Sequence, residues 1–188
     1  MHPRSPKRLA LLGFAAAALI IPISVAHAQP ATPAPAAVTH PIPQSLRNEH
    51  AEDLEQLELL SKRPGKVGEI AREAVVLFKR HAATEAEFIM PPLTLLPVLA
   101  DGKVTPDMAW AVAMSDRVRA EREQIFQQHV EVTEVLNKLV EAAETAKDQD
   151  AKEFAEAAAG DAMNDVEILE PAVLVIGDYI RMKLAAGH

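Results

Sequence analysis

The sequence predicts an all-α protein in which residues 45–188 fold as an up-down-up-down four-helix bundle. Apolar residues recur at spacings of three and four in four successive segments, whereas no segment alternates with the period of two typical of strands. The first two segments also match the last two at a nearly constant offset, which predicts two related helical hairpins. With 188 residues and 49% hydrophobic content, the chain is long enough for one domain with a buried core.

Two helices are predicted in the first hairpin. The first begins at Ser45 and ends at Pro64-Gly65, a dipeptide typical of helix ends. The second is expected to kink or stop at Pro91-Pro92, because proline lacks the amide hydrogen that a helix interior needs. The residues on the two buried faces are Leu46, His50, Leu54, Leu57 and Leu60, and then Val67, Ile70, Ala74, Leu77, His81, Glu85 and Phe88.

The second hairpin follows an apolar connection over residues 93–99 and a turn over 100–102. Thr105 and Pro106 form an N-cap and first-turn pair for a long third helix, and the polar residues 147–150 predict a turn before the fourth. The predicted buried faces are Met114, Val118, Ile125, His129, Val132, Leu136 and Leu139, and then Phe154, Ala158, Asp161, Asp165, Ile168 and Val175.

Chemically distinctive residues repeat between the two halves. In the first helix of each half the offset is 79, and in the second helix it is 80. A near-constant offset over both helices indicates a duplicated hairpin, and two such hairpins close most simply as a four-helix bundle. The matched pairs include His50 with His129, Leu57 with Leu136, His81 with Asp161, Glu85 with Asp165, and Pro91 with Pro171.

Residues 1–28 are interpreted as a secretory signal peptide. A basic start at Arg4, Lys7 and Arg8 precedes an apolar run, and Ala26-His27-Ala28 supplies the small-x-small cleavage pattern. An uncleaved membrane anchor is the alternative, since about 17 apolar residues barely span a bilayer. Cleavage lowers the basic residues from 19 to 16 against 27 acidic ones, which moves the net charge from -8 to -11. We therefore expect a periplasmic or secreted bacterial protein without stable membrane insertion after cleavage.

Residues 29–44 are predicted to be a Pro/Ala-rich linker, because they hold five of the fourteen prolines and cannot build a core.

The composition of the whole chain also excludes several classes of function. The absence of cysteine excludes disulfides, zinc-thiolate sites and iron–sulfur clusters. An acidic chain with one Trp and one Tyr lacks the basic, aromatic surface that nucleic acid requires. No nucleophile–base set or nucleotide-binding motif predicts an enzyme.

The predicted buried faces carry six ionisable residues, and this is the strongest functional signal. An unpaired buried carboxylate costs several kcal/mol, so a group of them in one core needs a common explanation. Imidazole and carboxylate together suit iron, zinc, manganese, copper or nickel. The structural alternative is a core of satisfied histidines, with carboxylates reaching water at its edge. The candidate metal ligands are His50, His81, Glu85, His129, Asp161 and Asp165.

These residues resemble the hemerythrin-like, or HHE cation-binding, domains, which carry His on helix one, His-x3-Glu on helix two, His on helix three and His-x3-Glu on helix four. Asn-Glu-His50, His81-Ala-Ala-Thr-Glu85 and Gln-Gln-His129 are similar to the first three elements, and Asp161-Ala-Met-Asn-Asp165 stands in the fourth position. The resemblance covers roughly residues 45–180. It implies a di-iron or related centre that serves in oxygen, nitric oxide, redox or iron handling.

The fourth element departs from the family pattern, since Asp161 replaces a histidine and Asp165 is shorter than glutamate. This difference favours a harder, asymmetric or single-metal site over reversible oxygen carriage. The resemblance implies that the three histidines supply nitrogen, that Glu85 and Asp165 bridge or cap the metal, and that Asp161 is a weaker terminal ligand. We expect a non-enzymatic protein that binds iron, di-iron or mononuclear, or another divalent metal, with O2 or NO as a partner. The alternative is a metal-free helical scaffold that docks a partner through residues 93–99.

Overall fold

The computed structural model describes residues 40–187, which are helical throughout apart from short connections and contain no strand. The prediction of an all-α fold is confirmed. The elements in chain order are α1 (Gln44–Leu60), α2 (Gly65–Thr84), a first π-helical turn (Glu85–Ile89), α3 (Met90–Leu93), α4 (Leu96–Ala100), a 3₁₀ turn (Pro106–Met108), α5 (Ala109–Ala146), α6 (Gln149–Asn164), a second π-helical turn (Asp165–Leu169) and α7 (Glu170–Ala185).

Four long helices make the bundle. They are α1, α2 continued through the first π turn into α3, α5, and α6 continued through the second π turn into α7. The long α5 packs against α2, α6 and α7, and α1 packs against α2. The predicted signal peptide and residues 29–39 of the linker lie outside the described residues. Over residues 40–187, no helix is both long enough and apolar enough to cross a membrane.

Two apolar clusters fill the core, one toward each end of the bundle. The first includes Leu57, Phe78 and Leu136, and the second includes Phe88 and Ile125. Along each of the four long helices, the histidines and carboxylates lie between the stretches that belong to these two clusters. The fold therefore places a polar layer in the middle of an otherwise apolar core.

The two π turns begin 80 residues apart, at the same offset as the predicted repeat. Each contains a wide backbone hydrogen bond, from Met90 N–H to Glu85 O in the first turn and from Glu170 N–H to Asp165 O in the second. A proline, Pro91 or Pro171, stands two residues after the end of each turn, and its ring would clash with a regular helical carbonyl four residues earlier. The wide turn provides room for this ring, so the helix continues to Leu93 where the sequence predicted a kink or stop at Pro91-Pro92.

The second π turn also corrects the predicted buried face of the fourth helix. A π turn takes one more residue than an α turn, so every later side chain rotates by one position. Ile168 and Val175, predicted to face the core, are 59% and 67% exposed. Val173 and Ile176 are buried instead. The prediction failed here because it assumed a constant helical period.

The connection between α5 and α6 falls within the turn predicted at residues 147–150 but is shorter, since α6 already begins at Gln149. Lys147 adopts the left-handed conformation that ends α5, with φ of 56°. Asp148 then caps α6, because its carboxylate accepts a hydrogen bond from the Ala151 amide at 3.2 Å. At the start of the third long helix the expected cap is absent: the Thr105 side chain makes no capping hydrogen bond, and a 3₁₀ turn precedes α5.

Candidate metal centre

Four of the six predicted ligands converge in the polar layer. His50 lies on α1, His81 on the last turn of α2, and Glu85 and Asp165 are the first residues of the two π turns. One donor atom from each lies within 4.8 Å of the other three. Ligands bonded to one metal at about 2.1 Å are separated by about 3–4.2 Å, so this spacing is close to that of a single coordination sphere. We call His50, His81, Glu85 and Asp165 the donor group.

Glu85 is the centre of the layer and is completely buried. Its Oε2 lies 2.8 Å from His50 Nε2 and 3.4 Å from His81 Nε2. Its Oε1 lies 3.3 Å from His129 Nε2. His129 is therefore outside the donor group but reaches the same carboxylate from α5. All three histidines found in the described helices thus meet on one glutamate.

Backbone hydrogen bonds fix how two of these imidazoles face the carboxylate. His50 Nδ1 lies 3.0 Å from Leu46 O, and His129 Nδ1 lies 3.0 Å from Ile125 O. Donating Nδ1–H to the carbonyl leaves the Nε2 lone pair directed at Glu85. This is the way that metal-binding histidines are held when a backbone carbonyl orients the second nitrogen. The arrangement occurs in both halves of the repeat, since Leu46 and Ile125 are also 79 residues apart.

The Glu85 carboxylate has no hydrogen-bond donor as long as the imidazoles are neutral, because both of its oxygens are buried without a partner. A buried negative charge that faces the Nε2 lone pairs of His50 and His129 requires a cation in the same space. A proton on His50 Nε2 would turn the 2.8 Å contact into a charged hydrogen bond. A metal ion bound to both atoms would satisfy the same requirement.

The pKa values describe this balance in the absence of metal. Burial opposes a charge on His50, but the Glu85 carboxylate outweighs burial and raises the pKa of His50 to about 9. Burial likewise opposes a charge on Glu85, but His129 and His50 hold the pKa of Glu85 at about 2. For His81 burial prevails and lowers its pKa to about 4. Burial and the nearby Glu85 charge raise the pKa of Asp165 to about 7.

A narrow cleft of about 10 Å³ leads to the donor group between α1, α2 and α6. It is lined on the inside by donor-group residues and farther out by Glu49, Asp53 and Asp161. Asp161 is not one of the four donors, so its assignment as a terminal ligand stays a prediction. Burial and the charges of Asp161 and Glu49 raise the pKa of Asp53 to about 6, which shows how closely the carboxylates are crowded.

Glu170 is a buried carboxylate of the layer that the sequence analysis missed. Its Oε1 lies 3.7 Å from His129 Nδ1 and has no hydrogen-bond partner. Burial raises its pKa. Glu170 follows Asp165 by five residues, and this spacing reaches the same face of the helix only across a π turn. The sequence signal for Glu170 was its pairing with Asp165 before Pro171, but a regular α-helical period places these two residues on different faces.

Comparison with known proteins gives no match: no protein-family model, no curated protein and no solved structure matches this chain. The similarity of its motifs to hemerythrin-like domains therefore stays a prediction. The donor atoms and their surroundings nevertheless form a buried His/Glu/Asp cluster that could hold a metal ion.

Proposed function

We propose that this protein binds a divalent metal ion in the bundle core through His50, His81, Glu85 and Asp165. One observation carries the proposal: the buried Glu85 carboxylate is faced only by imidazole Nε2 atoms, and backbone carbonyls orient two of those rings so that they donate no hydrogen bond to it while neutral. A structural core would be expected to satisfy such a carboxylate with donors. A metal ion supplies the positive charge that this geometry lacks.

We propose iron as the resident metal. Two imidazole nitrogens and two carboxylate oxygens form a mixed donor set that suits Fe²⁺, and Mn²⁺ or Zn²⁺ are alternatives. Four protein ligands leave two positions of an octahedral ion open, which is what a small ligand such as O2 or NO needs. The resemblance of the motifs to hemerythrin-like domains supports the same metal and ligands. From this site we infer a role in oxygen, nitric oxide or redox sensing, or in metal handling, in which no substrate is turned over.

We also propose that the protein acts outside the cytoplasm. The basic start, apolar run and Ala26-His27-Ala28 of the sequence support export. Sequencing the N-terminus of the protein from its native cells tests this part separately from metal binding. Residue 29 as the first residue is the expected result, and an intact Met1 would contradict cleavage.

The test of the metal site compares two pairs of substitutions. After anaerobic loading with Fe²⁺ and gel filtration, elemental analysis should find about one iron per chain in the wild type. The double variant His81→Ala/Glu85→Ala should contain almost none, because it removes half of the donor group. The control His40→Ala/Glu87→Ala changes the same residue types outside the donor group and should load like the wild type. Full occupancy in the first variant would refute the assignment.

A metal-free interaction domain is the second candidate, and one observation favours it. An apolar groove of about 280 Å³ lies between α4 and α7 and is lined by Leu96, Leu99, Ala100, Val175, Ile176 and Tyr179. Thermal melts with and without a chelator separate the two candidates, because a metal that binds only the native state must raise the melting temperature. An unchanged melt after proven metal removal would favour the interaction domain.

A further inference from the structure

The cleft that leads to the donor group has a one-sided distribution of charge. Its lining contains the carboxylates of Glu49, Asp53, Asp161 and Asp165, and it contains neither lysine nor arginine. Glu49 is exposed, and Asp53 and Asp161 are half-buried, so negative charge continues from the surface inward. We call Glu49, Asp53 and Asp161 the acidic collar.

The inner end of the cleft points to a cation as the occupant. His81 lines the inner end of the cleft with its side chain 2% exposed, together with Asp165, whose side chain is 13% exposed. His81 Nε2 lies 3.8 Å from Asp165 Oδ2 and 3.4 Å from Glu85 Oε2, so the cleft ends at the donor atoms themselves. The cleft volume of about 10 Å³ leaves room for a single water-sized particle, which excludes an organic ligand.

The collar itself is not a second chelating site. The only cluster of metal-holding geometry within residues 40–187 is the donor group, and no collar residue belongs to it. Carboxylates at a narrow, partly desolvated opening instead concentrate cations and accelerate their capture, because low-dielectric walls focus the field. The collar therefore has the position and charge for capture, without the geometry for retention.

We propose that Glu49, Asp53 and Asp161 are the loading route by which a divalent cation reaches the donor group. The collar sets the rate of metal capture, and the donor group sets the rate of release. This inference rests on the proposed metal-binding function and deepens it. It also gives Asp161 a role at the opening, which differs from that of a ligand bonded to the metal.

Stopped-flow binding of Co²⁺ at pH 7.5 and low salt tests the loading route, with the visible absorption of the bound ion as the signal. The triple variant Glu49→Gln/Asp53→Asn/Asp161→Asn keeps the shapes of the side chains and removes three charges. Its association rate constant should fall about tenfold or more, with an unchanged dissociation rate and spectrum. The difference from wild type should shrink in 0.5 M salt, where the Debye length is only a few ångströms.

The control variant Glu73→Gln/Glu134→Gln/Glu141→Gln removes the same charge from exposed residues, none of which lines the cleft. It should load at nearly the wild-type rate. If the collar variant does not fold, the single variants Asp53→Asn and Asp161→Asn give the same comparison with smaller effects.

The possible failures are distinguishable. If the wild-type protein binds no Co²⁺, the proposed function and the loading route both fall. If the wild type binds but the collar variant loads as fast as the control, only the loading route is refuted. A faster dissociation and an altered spectrum in Asp161→Asn would make Asp161 a ligand and would also overturn the loading role.

Discussion

Replacing Glu85 by Gln in the metal-free protein should abolish a pH dependence of stability that the wild type shows between pH 7 and 9. The 2.8 Å contact between His50 Nε2 and Glu85 Oε2 keeps a proton in the place that the metal would take. Glu85 raises the pKa of His50 from 6.5 to about 9 despite burial. Without the carboxylate, burial favours the neutral form of His50 and is opposed only by the weaker effects of the Leu46 carbonyl and the Asp165 charge.

The sign and size of the effect follow from linkage. A histidine whose pKa is higher in the folded state stabilises the protein fully below pH 6.5 and loses this contribution as the pH rises through 9. For His50 alone the free energy of unfolding should fall by about 2 kcal/mol from pH 7 to pH 9. Glu85 raises the pKa of His129 as well, which adds to the fall in the same direction. The pKa of Asp165 is raised from 3.8 to about 7, so the stability that this residue contributes is lost mostly as the pH rises toward 7, below the range from pH 7 to 9.

Urea unfolding in the presence of a chelator, at half-unit steps from pH 7 to 9, measures this effect. Glu85→Gln should give a nearly flat profile. Glu87→Gln is the matched control, because Glu87 is exposed and its partner is Arg117 at the surface. This control should fall with pH as the wild type does. A flat wild-type profile, or a fall of 2 kcal/mol that persists in Glu85→Gln, would refute the proposed charge balance.

Three further predictions test other parts of the structure. Metal binding at pH 7.5 should release at least one proton per ion, because His50 is protonated in the metal-free protein. An indicator dye in weakly buffered solution measures the released protons. If no proton is released, the metal does not displace the proton of His50. Gly177→Ala should destabilise the protein by about 1–3 kcal/mol, since the new methyl group would overlap Ser115. The same change at exposed Gly160 meets no atom and should stabilise the protein by up to about 1 kcal/mol. Urea unfolding of the two variants shows whether the free energy of unfolding falls in the first and rises in the second. Asp148→Ala should cost about 1 kcal/mol by removing the α6 cap, and an unchanged midpoint would show that the cap contributes nothing.

Much of the fold could be predicted from the sequence because long amphipathic helices have a strong local signal. The four long helices and the burial of His81 and His129 follow from apolar periodicity, and the polar residues 147–150 locate the turn before α6. The repeat offset of 80 also proved structural, since both π turns begin at the matched carboxylates Glu85 and Asp165.

The parts that could not be predicted depend on backbone irregularity and on distances between helices. A π turn cannot be recognised from a regular period, so Ile168 was placed in the core and Glu170 was missed. Helix rise gives the depth of each residue to about one turn, but only the packed side chains separate Asp161, at the opening, from Asp165, in the donor group. The carbonyls of Leu46 and Ile125 that orient two imidazoles carry no sequence signal, because every residue has one.

The most direct test of the central claim is anomalous X-ray diffraction from crystals of the Fe²⁺-loaded protein, recorded on both sides of the iron absorption edge. We predict an iron peak in the polar layer, within about 2.0–2.3 Å of one donor atom each from His50, His81, Glu85 and Asp165. A loaded crystal with no peak in this layer, or with iron bound only to surface carboxylates, would contradict the account.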